Sequence, residues 1–204
     1  MKKICVLLIS FFCISLSIRT YAQKLTLESG DLSLLKGQTK LNVEYLYDDM
    51  MVGKKTEADY IKEKVEKYNK DETGKGDKWL ENWKNDRKDK YQPKFEELIN
   101  KYLEDAKVNV SSKNTDAKYT LIIYTDFTEP GFNIGVARQP AYINTIVTVV
   151  ETADKSKEIA KISIEKSPGQ DVVGNDYDTG YRIQEAYAKC GKELAKFLMK
   201  KAFK

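Results

Sequence analysis

The sequence contains no histidine. Histidine is the usual general base near neutral pH and a frequent metal ligand, so serine–histidine pairs, cysteine–histidine pairs and histidine-ligated zinc are excluded. Only three cysteines are present, and two of them, Cys5 and Cys13, lie in an apolar segment at the amino terminus. The third, Cys190, lies on the apolar face of a predicted helix, where we expect a buried small side chain rather than a reactive thiol.

The chain has few long apolar runs, and the one at its amino terminus has the features of an export signal. Two lysines precede an apolar stretch over 5–18, and Thr20-Tyr21-Ala22 form a small-x-small pattern that suits cleavage after Ala22. This pattern is typical of a secretory signal peptide, and the run is short for a membrane span; a signal anchor is the alternative. We therefore predict that 1–22 is removed, that the protein is periplasmic or secreted, and that no membrane span remains.

Removal of this segment changes the balance of charge and cysteine. Lys2, Lys3 and Arg19 lie within it, so most of the formal net charge of +4 is lost with it. The near-neutral remainder lacks the basic excess of a nucleic-acid-binding protein. A single remaining cysteine cannot form an internal disulfide, so the rest of the chain must be held together by a hydrophobic core. We predict one domain over 23–204.

The clearest structural pattern is a period-two alternation over 117–166. It predicts three antiparallel strands at 117–127, 142–152 and 158–166. The middle strand is apolar on both faces, as expected for a strand inside a sheet. An earlier strand is predicted at 39–47, after an irregular or short-strand lead-in, and a short one is predicted around Val108 and Val110.

Helical spacing accounts for most of the remaining chain. Thr56 and Asp59 predict the start of a helix that ends near Asn69, and a charged connection follows, which we expect to be a mobile surface segment. An aromatic helical stretch is predicted over 79–105, and Pro93 either divides it into two helices or kinks it. A loop is predicted over 167–180, followed by a last helix that is capped by Asp178 or Thr179. The order β-α-α-β-β-β-β-α predicts an α+β, two-layer sandwich of a mostly antiparallel sheet and amphipathic helices.

The best candidate binding site is the long loop over 128–141. Fourteen residues is long for a connection between antiparallel strands, and unusually long loops are often functional. Phe132 provides an apolar anchor and Arg138 a contact for an anion or carboxylate, with Asn133 and Glu129 beside them. The alternative is a loop that folds its apolar side chains back onto the sheet.

The sequence contains residues for three other kinds of site. Loop carboxylates offer acid–base chemistry, although their spacing does not force two together; they are Asp126, Glu129, Asp171, Asp176 and Asp178. The motif Asn175-Asp176-Tyr177-Asp178 has oxygen ligands at alternate positions, as calcium loops do, but helix capping explains it better, and we predict no metal and no cofactor. Some aromatic residues suit a sugar or a membrane surface, but their helical spacing favours packing; they are Trp79, Trp83, Tyr91 and Phe95.

The order of elements over about 39–48 and 93–203 resembles small envelope modules of gram-negative bacteria. Two such modules are the amino-terminal domain of the Tol-system translocation protein and the periplasmic domain of the curli secretion channel. EPGFNIGVARQPA (129–141) and DTGYRIQEAYAKCGKELAKFL (178–198) are also similar to segments of exported bacterial proteins with no assigned function. The resemblance implies a non-catalytic interaction module and carries over no active-site residue; the aromatic segment over 70–92 departs from it.

These features together predict an exported binding or accessory protein of the cell envelope, with no enzymatic activity. Its expected partner is another envelope protein, contacted through 128–141 and through the exposed part of 70–92. Assembly into a homo-oligomer is also compatible with the sequence. Two alternatives from other classes remain at this point. One is a carboxylate-dependent hydrolase of envelope glycans, and the other is a carrier with an enclosed apolar cavity for a small ligand.

Overall fold

The alternating segments form strands and the amphipathic segments form helices, as their periods require. A computed structural model describes residues 23–169 and 177–203; the predicted signal peptide therefore lies outside the described residues. The strands are β1 (Lys24–Gly30), β2 (Lys40–Leu46), β3 (Met51–Val52), β4 (Lys55–Thr56), β5 (Asn109–Ser111), β6 (Tyr119–Glu129), β7 (Phe132–Asn133), β8 (Arg138–Gln139), β9 (Ala141–Glu151) and β10 (Asp154–Gly169). The helices are α1 (Glu57–Asp71), α2 (Lys75–Asp86), α3 (Gln92–Leu103) and α4 (Thr179–Lys201).

One mixed sheet, mostly antiparallel, organises the fold in the order β1-β10-β9-β6-β2-β5. The predicted meander of β6, β9 and β10 is confirmed, because each neighbouring pair is antiparallel. β2 runs parallel to both β5 and β6, and β3 continues the parallel pairing along the far end of β6. β9 lies between β10 and β6, as its two apolar faces predicted. The lead-in forms β1, which pairs with β10.

The helices cover one face of the sheet and complete the predicted α+β sandwich. Ile143, Val147 and Val149 of β9 are fully buried on this face, beneath α4. α3 packs closely against α4, where a Cβ on Gly191 would lie 2.6 Å from the carbonyl oxygen of Phe95. The absence of a side chain at Gly191 therefore permits the close approach of α3 and α4.

The third strand of the meander extends further than its pattern indicated. The predicted loop over 167–180 is wrong at its start, because Ser167 and Pro168 pair with Ile143 and Tyr142 of β9. Between the pairs Ile164–Thr145 and Ser167–Ile143, β10 has one more residue than β9, so the pairing continues beyond a bulge. Proline is tolerated here because β1 pairs with β10 only as far as Glu165, so β10 has one neighbour at this point.

The predicted mobile connection after α1 is also wrong for most of its length. α1 continues to Asp71 and α2 begins at Lys75, so only a short turn separates them. The side-chain oxygen of Asn69 accepts a hydrogen bond from the backbone N–H of Gly76 at 2.7 Å. A Cβ at Gly76 would lie 2.3 Å from the carbonyl oxygen of Val65, so the glycine lets the two helices touch.

A π-helical segment, Arg87–Tyr91, joins α2 to α3 without a break. Pro93 follows it in the first turn of α3. Proline has no backbone N–H to donate, and the first turn is the part of a helix that tolerates this best. The two helix starts predicted from sequence are confirmed as capped. The Thr56 hydroxyl accepts from the N–H of Asp59 at 3.1 Å, and Asp178 accepts from the N–H of Tyr181 at 2.7 Å.

No helix in the described ranges is both long and apolar enough to cross a bilayer.

Candidate functional site

The candidate loop over 128–141 contains a small β-hairpin. Phe132 pairs with Gln139 and Asn133 pairs with Arg138, so β7 and β8 extend away from the ends of β6 and β9. The turn closes where the N–H of Ile134 donates to the carbonyl of Ala137 at 3.1 Å. We call 130–140 the tip hairpin.

The apolar side chains of the tip hairpin point outward. Phe132 is 42% exposed, Ile134 66% and Val136 94%. The alternative in which the loop folds these side chains back onto the sheet is therefore wrong for all three. Arg138 is also exposed, and Asn133 is half-buried. A cluster of exposed apolar side chains on a projecting element is typical of an interaction surface.

The base of the tip hairpin is held by Arg182 of α4, a residue to which the sequence analysis assigned no role. Arg182 is buried, and its guanidinium donates to the carbonyl oxygens of Pro130 and Gly131, each at 3.2 Å. It also donates to the Thr179 hydroxyl at 3.0 Å. On the other side of the turn, Glu129 accepts from the N–H of Gly131 at 3.1 Å, so this predicted binding residue has a structural contact.

Gly131 adopts the backbone conformation that this anchored base requires. Its φ is +61°, in the left-handed region, and an added Cβ would lie 2.4 Å from the carbonyl oxygen of Gln139. The glycine therefore serves both the turn and the close approach of the two hairpin strands. The outcome is a short hairpin whose backbone is fixed at its root while its apolar side chains remain exposed.

A second polar arrangement, also missed from the sequence, joins α1 to the π-helical segment. One carboxylate oxygen of Glu57, Oε1, accepts from the indole N–H of Trp83 at 2.6 Å and from the guanidinium of Arg87. The Arg87 guanidinium lies 4.2 Å from the ring centroid of Tyr47. These side chains come from segments far apart in the sequence, and no local pattern links them.

Comparison with known proteins assigns the chain to no family. No protein-family model matches it, and no curated protein does. Among solved structures, the PelC dodecamer from Paraburkholderia phytofirmans has a TM-score of 0.43 at 9% identity, covering 89% of this chain and 99% of that chain. A variant PelC dodecamer from the same organism has a TM-score of 0.40 at 9% identity, covering 90% and 100%. Likeness at this level carries no inference, and it does not test the resemblance to the Tol and curli modules.

The candidate carboxylates lie in separate surroundings. Asp178 caps α4 and lies 4.0 Å from the ammonium group of Lys90. Burial raises the pKa of the half-buried Asp126, and backbone N–H groups oppose that rise. Within the described ranges, Glu129 contacts Gly131, whereas Asp178 contacts Tyr181 and Lys90; the other two candidates, Asp171 and Asp176, lie outside those ranges.

The calcium-like motif is described only in part, because Asn175 and Asp176 lie outside the described ranges. Its remaining carboxylate, on Asp178, serves as the helix cap that the sequence favoured. Across 23–169 and 177–203, no group of three or more Cys, Asp or Glu side chains is placed to hold a metal ion.

The prediction that the four aromatic residues at helical spacing serve packing is confirmed. Trp83, Tyr91 and Phe95 all belong to the core, and Trp79 packs against it. Trp79 and Trp83 stack with their ring centroids 5.5 Å apart. Tyr91 stacks on Tyr187 of α4 at 5.1 Å, with the two rings nearly parallel.

The thiol is buried, and the space beside the stacked tyrosines of the core is too small for a ligand. Cys190 is buried as predicted, and burial raises its pKa to about 12. The enclosed space between the sheet and the helices that is lined by Tyr91 and Tyr187 has a volume of about 10 Å³. This is room for one water molecule, so it does not support the small-ligand carrier.

Proposed function

We propose that the protein is an exported, non-catalytic binding protein of the bacterial envelope, and that it contacts another envelope protein through the tip hairpin. The observation that supports the proposal is the outward placement of Phe132, Ile134 and Val136 on a hairpin whose base is fixed. Export rests on the signal-peptide pattern of 1–22, and the envelope setting agrees with the resemblance to the Tol and curli modules.

The energetic argument begins with the apolar side chains. Fully burying an exposed side chain of this kind gives about 1.5–3 kcal/mol, and the part of that gain left to Phe132 and Ile134 corresponds to their exposed fractions of 42% and 66%. A loop that had to order on binding would lose part of that gain as conformational entropy. Because the hairpin is already hydrogen-bonded and anchored by Arg182, this cost is reduced, and the exposed residues can act as preformed anchors.

The charge of the tip hairpin favours a protein partner over a lipid surface. Arg138 is the one basic residue within 130–140, and the acidic residue Glu129 lies immediately before this segment. Attachment to an anionic membrane through a short apolar tip requires several basic residues around it, since each contributes about 1 kcal/mol. One arginine beside apolar anchors instead suits a paired contact with a carboxylate on a protein.

Site-specific photo-crosslinking in intact cells tests the proposal. A photo-reactive amino acid is placed at Val136, and a matched control carries it at Leu34, which is 52% exposed and lies beyond β1 at the opposite end of the sheet. We expect a discrete protein adduct from position 136 and none of the same mass from position 34.

The same cross-linking experiment is then repeated in variant backgrounds. Phe132→Ser with Ile134→Ser should abolish the adduct at 136, whereas Leu34→Ser should leave it unchanged, because only the first pair removes the proposed anchors. Equal adducts from both positions, or an adduct at 136 that survives Phe132→Ser and Ile134→Ser, would contradict the proposal.

A further inference from the structure

An open groove of about 570 Å³ lies between the connection after β2, the first turn of α1 and the π-helical segment. Its volume is within the range of sites that bind small molecules or single side chains with their neighbours. The residues that line it are Tyr45, Leu46, Tyr47, Asp48, Asp49, Met50, Thr56, Glu57, Ala58 and Arg87.

The groove carries an excess of negative charge. Asp48, Asp49 and Glu57 provide three carboxylates, and Arg87 is the one cation among the lining residues. Charges interact more strongly in a groove that is partly shielded from solvent than they do in bulk water. The groove therefore disfavours phosphates and carboxylates and favours a cationic group.

Hydrogen-bonding capacity remains available beside Arg87. The indole of Trp83 and the guanidinium of Arg87 both donate to Oε1 of Glu57, and its second oxygen, Oε2, makes no hydrogen bond to the residues that the structure describes. The contact of Arg87 with this carboxylate and with the face of Tyr47 also shows how the groove binds a guanidinium. A second cation would instead meet the exposed carboxylates of Asp48 and Asp49 and the second oxygen of Glu57.

A buried hydroxyl without a hydrogen-bond partner among the described residues belongs to a second, smaller space that shares residues with the groove. The small enclosed space of about 10 Å³ shares Tyr47, Met50 and Arg87 with the groove and is also lined by Tyr91. Tyr91 is only 5% exposed, and its hydroxyl makes no hydrogen bond within the described ranges. A buried polar group without a partner carries a cost, and a water in this small space that also bonds a group bound in the groove would remove it.

The groove and the tip hairpin lie at the same end of the sheet. The connection that lines the groove leads into β3, and β3 pairs with Phe127 and Thr128 of β6, just before the tip hairpin begins. We propose that this groove binds the ammonium or guanidinium group of a lysine or arginine side chain of the protein partner. The identity of that partner rests on the proposed function, but the binding of the cationic side chain is separately testable.

The test uses a tetralysine peptide with a blocked carboxyl terminus as the probe. The chain has two tryptophans, and the indole N–H of Trp83 is bonded to Glu57 at the edge of the groove. Two-dimensional NMR of the indole N–H signals therefore reports on the site directly. We expect saturable shifts of the Trp83 signal, larger than those of Trp79, that weaken as salt is added.

Variants separate the groove from general surface charge. Asp48→Asn with Asp49→Asn should weaken the peptide about tenfold, and asparagine tolerates the φ of +54° at position 49. Asp116→Asn with Asp154→Asn, a matched pair of exposed acids at the other end of the sheet, should change nothing. Unchanged affinity in the first pair, equal binding of a tetraglutamate peptide, or no shift of Trp83 would overturn the groove site.

Failure of the two proposals gives different results. Phe132→Ser with Ile134→Ser should leave the peptide affinity unchanged, because these residues do not line the groove. If peptide binding is intact but the cross-linked adduct at Val136 never forms, the groove site stands and the hairpin function fails. If the adduct forms but the peptide does not bind, the opposite holds.

Discussion

Arg182 donates from Nε to the carbonyl oxygen of Pro130 at 3.2 Å, and this contact ties the last helix to the root of the tip hairpin. A second donor from the same guanidinium reaches the next carbonyl, that of Gly131. Two adjacent carbonyls bound by one rigid, planar group fix the direction in which the hairpin leaves the sheet. The exposed apolar residues are thus presented by a joint between α4 and the 128–141 segment.

Arg182→Lys should destabilise this joint even though it keeps the charge. A lysine cannot reproduce the planar arrangement of donors, so buried carbonyls lose partners and the free energy of unfolding should fall by about 1–3 kcal/mol. Urea denaturation measures the loss, and hydrogen exchange should show reduced protection of the Ile134 amide. Arg138→Lys, at an exposed site, is the matched control, with an expected change within about 0.5 kcal/mol. Equal effects of the two variants would contradict this role of Arg182.

Gly131→Ala should disrupt the base of the tip hairpin. The substitution combines a positive φ with a Cβ that would collide with the Gln139 carbonyl, so we expect a loss of about 2–4 kcal/mol in unfolding free energy. Gly135→Ala is the control, since its φ is +82° but open space surrounds its Cβ, and about 1 kcal/mol is expected. Thermal unfolding of both variants gives the comparison; a Gly131→Ala protein as stable as Gly135→Ala would show that the base of the hairpin is not constrained.

Patterns confined to a few neighbouring residues were sufficient to predict much of the fold. The alternation in β9 placed that strand inside the sheet, and Thr56 and Asp178 marked helix starts, because these signals depend on local geometry. Features set by distant contacts were missed. The extension of β10 through Pro168 depends on where β1 ends, and the early start of α2 depends on packing against Val65.

The candidate site divides in the same way. The 128–141 segment was identified from its length and composition, and its candidate anchor, Phe132, is exposed, while its binding role stays a prediction. Its hairpin form was not predicted, since β7 and β8 are only two residues each. Arg182 gave no local signal because its carbonyl partners lie about fifty residues earlier in the chain. Glu57 and Arg87 were missed for the same reason.

Two stacked tyrosines should respond in opposite ways to removal of their hydroxyls. The Tyr187 hydroxyl bonds the buried Thr125 hydroxyl at 2.7 Å, so Tyr187→Phe should cost about 1–3 kcal/mol by leaving Thr125 without that partner. The Tyr91 hydroxyl is buried without a partner among the described residues, so Tyr91→Phe should leave the free energy of unfolding unchanged or raise it. Urea denaturation of the two variants measures both effects, and a larger loss for Tyr91→Phe would show that its hydroxyl has a partner in solution.

Stability should fall at alkaline pH in a way that depends on Cys190. Burial raises the pKa of this thiol from 9.0 to about 12, so the unfolded chain loses the proton first. Its contribution to stability is complete below about pH 9 and is lost as the pH rises towards 12, with a slope of about 1.4 kcal/mol per pH unit. Buried Tyr91 and Tyr187, whose pKa values are also raised, add to the same trend.

Urea denaturation between pH 8 and 11 should therefore give a shallower decline in the free energy of unfolding for Cys190→Ala than for the natural chain. Because the cavity left by the substitution costs the same at every pH, comparison of the two slopes isolates the thiol, and identical slopes would mean that Cys190 is accessible to water.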